Sequence, residues 1–425
     1  MSARFIVGDV FDGLASLPDA SVDCVMTSPP FLALRSYLPP DHPDKGKEIG
    51  SEPTPAAFLD TMLALTAELR RVVAPHGSIF VELGDTYSGS GGAGGDYADG
   101  GLRQGQNGFT GSAARNRHEQ PRQWSGGHGW PLPKSLCFIP ELYGASLAYG
   151  RNLLTGVESP AGPWLVRNKV AWVRPNPPVG ALGDKVRPGW SMGVWACTSP
   201  RRWFDLDAVR TSPARDYGGQ HNGGRYDPAS TAKGANASRN DGGVSDFGAN
   251  PAGAPPLDWW KIPPGGYQGS HYAVFPPELC RIPIEASCPR RVCRTCGEPS
   301  RREVETEQVD TGRTTNGVKN IGRKAETAVD YEKRTVSTTT TIGWSSCGCP
   351  GTDGIRLDGY HTGTGWRPGV VLDPFAGSGT TLMVATSRSR EAIGLDLDER
   401  NAELATDRVG PMFLTVEHLS DEGVA

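Results

Sequence analysis

The run Val370-Val-Leu-Asp-Pro-Phe-Ala-Gly-Ser-Gly-Thr-Thr381 constrains the fold more than any other segment of the chain. An apolar strand ends at Asp373 and a proline stops it. Glycines at 377 and 379 then let the backbone turn at positive φ and approach a ligand closely. Hydroxyls at Ser378 to Thr381 suit the start of a helix. The next apolar run, Ala392 to Asp396, ends in a carboxylate. A strand, a glycine turn, a helix and a second strand closing on an acid is the nucleotide-binding logic of an open α/β sheet, in which the acid holds a ribose. A phosphate-binding P-loop is disfavoured because no Gly-Lys-Ser/Thr follows, and Gly377-x-Gly379 lacks the third glycine of a dinucleotide fingerprint.

The rest of the chain repeats the alternation. Arg4 to Val7 and Val22 to Met26 read as strands, Pro55 to Ala74 as an amphipathic helix, and Ser78 to Leu83 as a buried strand. Ser135 to Tyr149 and Phe275 to Ala286 read as helices, and Lys169 to Arg174 and Ser191 to Cys197 as strands. The pattern favours a parallel sheet covered by helices. Two stretches break it, residues 86–131 and about 208–256, rich in Gly, Ser and Asn. Loops of that length are functional or disordered.

Thr27-Ser28-Pro29-Pro30-Phe31 follows the second strand. Exocyclic base amines are poor nucleophiles because their lone pair is delocalised into the ring. A short hydroxyl side chain (Ser28) and a carbonyl held rigid by consecutive prolines (Pro29 and Pro30) supply acceptors that turn the lone pair outward, and Phe31 offers a stacking face. A base inside a duplex must be extruded to reach such a pocket. Cytosine-C5 chemistry is disfavoured, since it needs a thiolate after a proline and no Pro-Cys occurs.

The two motifs together, in this order, resemble the β-class of DNA amino-methyltransferases, whose catalytic motif precedes the cofactor motif. Protein-glutamine and RNA methyltransferases with a similar tetrapeptide place the cofactor motif first. The resemblance implies an α/β, Rossmann-like fold with circularly permuted motif order: one mixed, seven-stranded sheet from residues 1–205 and 366–410, with the strand at Val370 beside the one ending at Met26. It implies S-adenosylmethionine as cofactor and double-stranded DNA as partner. Asp9 would meet the cofactor adenine, and Asp373, Phe375, Gly377 and Gly379 would line the methionine and adenosine. Thr380 and Thr381 would sit at the helix start and Asp396 on the ribose. His271 and Phe275 belong to a segment that would close over the methionine end. Ser28 in the tetrapeptide goes with N4 of cytosine in this class, with N6 of adenine the alternative. An inactive scaffold serving as a zinc-containing DNA-binding protein is the non-enzymatic alternative.

The division expected on this basis is a catalytic half at 1–205, a target-recognition region at 206–265, a cofactor-closing segment at 266–287, a zinc-knuckle insertion at 288–350 and a cofactor-binding half at 366–410. Cys293-x-x-Cys296-Gly and Cys347-x-Cys349 are two close thiol pairs that suit one closed, tetrahedral structural zinc. Cys288 is a spare thiol, and Cys24, Cys137, Cys197 and Cys280 read as core. The net charge of −4 leaves DNA-facing charge to local clusters such as Arg201-Arg202, Arg290-Arg291 and Arg301-Arg302. No stretch approaches a membrane span and no signal-peptide layout opens the chain, so a cytoplasmic location is expected. A partner restriction endonuclease and the oligomeric state are left open by these residues.

Overall fold

The computed structural model describes residues 1–34, 37–38, 41–89, 127–177, 185–211, 253–264, 274–310, 335–352 and 363–419. Most of the 86–131 loop, most of the 206–265 region and His271 therefore lie outside the described residues.

The first four elements are β1 (Ala3–Val7), α1 (Val10–Ala15), β2 (Val22–Thr27) and α2 (Pro55–Val72). Asp9 caps α1, its carboxylate accepting from the Phe11 and Asp12 amides. Thr54 caps α2 in the same way, with Pro55 preset for the first helical turn. There follow β3 (Val73–Leu83), α3 (Ile139–Tyr149), β4 (Leu165–Val173), β5 (Trp190–Cys197), β6 (Trp259–Lys261) and α4 (Pro277–Ser287). The short strands β7 (Arg291–Cys293) and β10 (Trp366–Pro368) flank a hairpin of β8 (Arg302–Asp310) and β9 (Thr335–Trp344). The chain then runs through β11 (Val370–Asp373), α5 (Thr380–Ser387), β12 (Glu391–Asp396), α6 (Arg400–Val409) and β13 (Leu414–His418).

One sheet has the order β13-β1-β12-β11-β2-β3-β5-β4-β6. Only β5 runs against the rest: it is antiparallel to both β3 and β4, while the other neighbours are parallel. The sheet is mixed, as expected, but among the described residues it has nine strands rather than seven. The expected boundaries cut off both edges: β13 lies past residue 410, and β6 comes from the region assigned to target recognition. Three and five residues are short enough to escape a pattern search, and each becomes a strand by adding to an existing edge.

Strand alternation sorts the core into two layers. Ile6, Val25, Ile79, Val81 and Leu372 face one layer with α1, α2 and α3. Phe5, Cys24, Met26, Phe80 and Val371 face the other with α4, α5 and α6. Burial on both faces explains why these strands read as continuous apolar runs.

At the start of β2, Asp23 is fully buried. Its carboxylate pairs with His76 Nε2 at 2.9 Å and receives both Nη atoms of Arg367, at 2.6 and 3.1 Å, plus the Val370 amide at 2.7 Å. It thus joins β2 to β3 and to the β10–β11 corner. Burial works to raise the Asp23 pKa, but the hydrogen bonds from His76 and Arg367 outweigh it and hold the group below its usual value. The stabilisation is present above the ordinary carboxylate pKa and is lost only as pH falls through the lower folded value. We expect Asp23→Asn to cost roughly 3 kcal/mol in urea unfolding at neutral pH, because it strands a partly buried guanidinium. A loss under about 1 kcal/mol would show that the clamp does not hold the two halves together.

Candidate active site

The carboxyl ends of β1, β2, β11 and β12 open on a cavity of about 250 Å³. Its wall brings together most of the residues singled out in the sequence: Asp9, Ser28, Pro29, Pro30, Phe31, Phe275, Phe375, Gly377, Thr380 and Asp396. The adjacency arises because β2 and β11 pair directly, Cys24 with Val371 and Val25 with Leu372. The crevice beside parallel strand ends is where an open α/β sheet binds its ligand.

Three expected cofactor residues stand behind the wall instead. Asp373 is fully buried, and it accepts from Thr27 Oγ1 at 2.7 Å, Thr381 Oγ1 at 2.6 Å and the Phe375 amide at 3.1 Å. It ties the end of β2 to the start of α5, and burial pushes its pKa up to about 6. Thr381 is its buried partner. Gly379 sits at φ 75°, and a Cβ there would lie 2.9 Å from Ala405 Cβ. That glycine admits α6 against the turn rather than a ligand. A sequence cannot tell a residue that faces the ligand from one that braces the turn, since both keep the same spacing.

Asp396 does face the cavity. Its Oδ2 accepts from the Gly377 amide at 2.7 Å, and its Oδ1 from the Asp398 amide and Asn401 Nδ2, both at 2.9 Å. Burial raises its pKa to about 6. Gly377 adopts φ 50°, which aims its N–H at the carboxylate.

On the other side, Ser28 donates its hydroxyl to Glu82 Oε2 at 2.6 Å. Glu82 is 2% exposed and its Oε1 has no hydrogen-bond partner among the described residues. Burial pushes its pKa up despite hydrogen bonds from Ser191 and Ser28. The Phe31 ring lies flush against Gly84, where a Cβ would come within 2.5 Å of it. Glu82 and Asn401 were missed in the sequence. A single acid within the apolar run Ser78 to Leu83 was the available signal for Glu82; Asn401 carried none beyond its place five residues after Asp396. Asp85, just past β3, caps α3 by accepting the Phe138 and Ile139 amides.

Away from the cavity, the sulfurs of Cys293, Cys296, Cys347 and Cys349 all lie within 4.8 Å of one another. Four thiolates about a zinc ion at ~2.3 Å stand roughly 3.8 Å apart, so the donor set fits a closed tetrahedral site with little movement. The Thr295 amide points at Cys293 Sγ, 3.4 Å away. Cys288 is buried in the core and is not part of the group. Cys24, Cys137, Cys197 and Cys280 are buried too. The basic clusters expected on the surface partly serve the fold: Arg302 forms a bidentate pair with Asp205, and Arg301 reaches the carbonyls of Arg201 and Arg202.

The sequence profile of a DNA methylase family, that of N6 and N4 methyltransferases, matches residues 22–292 and 367–407. Its break coincides with the cysteine module, stopping one residue before Cys293 and resuming one after Trp366. The chain is 22% identical over 409 residues to the type II methyltransferase M.SmaI of Serratia marcescens, covering 96% of this chain and 91% of that protein. It is 23% identical over 405 residues to M.XycI of Xanthomonas campestris pv. cyanopsidis, covering 95% and 86%. A shorter match to M.SfiI of Streptomyces fimbriatus, 26% identical, spans 48% of this chain but only 38% of that protein. Among the described residues, no helix is long and apolar enough to cross a membrane.

A structural zinc at the cysteine group predicts about one zinc per purified chain. Cys293→Ser and Cys347→Ser should each release the ion and lower the melting temperature. Full zinc content in both variants would remove the cluster as a metal site.

Proposed function

Because the chain belongs to the N6/N4 DNA methylase family, we propose that it transfers a methyl group from S-adenosylmethionine to the exocyclic amine of a base in duplex DNA, and that this base is cytosine, methylated at N4. The observation that carries the reading is Ser28, hydrogen-bonded to the buried Glu82 behind it and set in the same cavity wall as Asp396. S-adenosylmethionine, when bound, supplies an electrophilic methyl on a sulfonium.

The residues of the chain account for the rest. With its proton committed to Glu82, Ser28 Oγ presents lone pairs to the cavity and accepts an amine N–H. The Pro29 carbonyl is the second acceptor, and the two direct the nitrogen lone pair away from the ring. An amine that gains a methyl must shed a proton. Glu82 is suited to receive it through the Ser28 hydroxyl, since a buried carboxylate with a raised pKa is the better base. Phe31, braced by Gly84, stacks on the extruded base. Asp396 accepts from the ribose, and the Gly377 turn lets the backbone come close beside it. Phe375 and Phe275 give the cavity apolar walls, and Asp9 lies at the adenine end. The association of serine at the head of the tetrapeptide with cytosine supports N4 over N6 of adenine. The relatives' type II designation supports a role in modification, with a restriction endonuclease as the counterpart acting on the same sites. In the cysteine module, zinc would hold the two chain ends together and take no part in the chemistry.

Nucleoside mass spectrometry of DNA treated with the enzyme should show N4-methylcytosine. Finding N6-methyladenine alone would overturn the choice of base and leave the amino-methyltransferase reading intact. Methylated RNA or protein with unmodified DNA would overturn the reading itself. Ser28→Ala should cut turnover roughly a hundredfold or more while leaving cofactor affinity nearly unchanged, because its hydrogen bonds matter most as the amine becomes nucleophilic.

Asp396→Ala should weaken S-adenosylmethionine binding by roughly 1–3 kcal/mol in calorimetry. With the Asp396 pKa near 6, acidification from pH 7 to 5 protonates the carboxylate and turns an acceptor into a donor. Affinity should therefore fall with a midpoint near that value and become flat in Asp396→Ala. A flat profile in the wild type would take Asp396 off the ribose.

A further inference from the structure

Asn401 opens α6 within the same wall as Asp396, and only 4% of it is exposed. Its Nδ2 donates to Asp396 Oδ1 at 2.9 Å. A carboxylate can only accept, so this contact fixes which way the amide faces. The opposite atom, Oδ1, is buried and has no hydrogen-bond partner among the described residues. A buried amide oxygen left empty is costly, and such atoms in folded chains ordinarily have a partner.

The carboxylate beside it has little capacity to spare. Asp396 Oδ1 already accepts two hydrogen bonds, from the Asp398 amide and from Asn401, and Oδ2 accepts one from Gly377. Two lone pairs per oxygen leave one acceptor position on Asp396, at Oδ2, and two on Asn401 Oδ1. A ribose carries two adjacent hydroxyls, each a donor. One acid with a single open position does not serve both well, whereas an acid and an amide oxygen side by side do.

We infer that Asn401 is a second ribose-reading residue, its Oδ1 accepting one hydroxyl of the cofactor diol while Asp396 accepts the other. The inference rests on S-adenosylmethionine being the cofactor. It assigns Asn401 a direct contact, beyond that of orienting the Asp396 carboxylate, and makes the cavity selective for an intact ribose over either deoxyribose form.

The test is calorimetric titration of the full chain with S-adenosylhomocysteine and with its 2′-deoxy and 3′-deoxy analogues. The wild type should bind each analogue roughly tenfold more weakly than the parent. Asn401→Ala should bind the parent roughly tenfold more weakly and should lose the penalty for one analogue only, the one missing the hydroxyl that Asn401 reads. A merely structural role would weaken all three ligands together and leave both penalties in place, and that result overturns the inference, as does unchanged affinity for the parent. Should the alanine variant not fold, Asn401→Ser is titrated in its place under the same criteria, and equal binding of parent and both analogues by the wild type overturns the inference in either case. A wild type that binds none of the three ligands overturns the cofactor assignment together with the inference, an outcome distinct from failure in the variant alone.

Discussion

Two strands separated by more than three hundred residues of chain lie side by side at the middle of the sheet, and the site depends on that contact. β2 meets β11 through only two register pairs, too few to hold the halves together unaided. Buried carboxylates close the junction at both ends. At the amino end, Asp23 gathers Arg367, His76 and the Val370 amide. At the carboxyl end, Asp373 receives the hydroxyls of Thr27 and Thr381. The second link bears directly on the cavity wall. Thr27 immediately precedes Ser28, and Thr381 lies two residues past Gly379, so one side chain sets the Ser28-Pro-Pro-Phe31 segment and the glycine turn relative to each other.

Burial does two kinds of work at this edge. The Asp373 carboxylate is desolvated yet supplied with three donors, so it behaves as a rigid strut. Glu82 is desolvated with one oxygen unpartnered among the described residues. A satisfied and an unsatisfied buried acid thus lie only strands apart in one sheet. Asn401 shows the same feature beside Asp396, where its amide oxygen is buried with no partner among the described residues.

The cysteine module is grafted onto this frame. The family profile omits it, yet it is firmly attached: β7 and β10 pair at its base, with Cys293 opposite Trp366. Trp203 Nε1 donates to the Ser300 carbonyl, and Asp205 grips Arg302. Its base also touches the core, since Arg367 of β10 is the partner of Asp23. An ion holding the four thiols would therefore stiffen the β10–β11 corner from which the cofactor strand departs.

Much of this was legible in the residues themselves. The string from Val370 to Thr381 specifies a strand, a turn at positive φ and a helix start by local chemistry alone. Ser28-Pro-Pro-Phe31 stops its strand for the same kind of reason, and the paired cysteines show their common purpose through spacing. What only the tertiary structure decided depends on direction and on partners far away in the chain. Asp373, Gly379 and Thr381 belong to the motif yet face the packing, because a turn has an inner and an outer side that spacing does not distinguish. Glu82 became a partner of Ser28 only when β3 was laid beside β2, and Asn401 a neighbour of Asp396 only when α6 turned back over the glycine turn. The edge strands β6 and β13 are too short to declare themselves and exist because a sheet edge was there to receive them. Local covalent and steric preferences can be read one segment at a time, whereas burial and hydrogen-bond pairing are properties of the assembled whole.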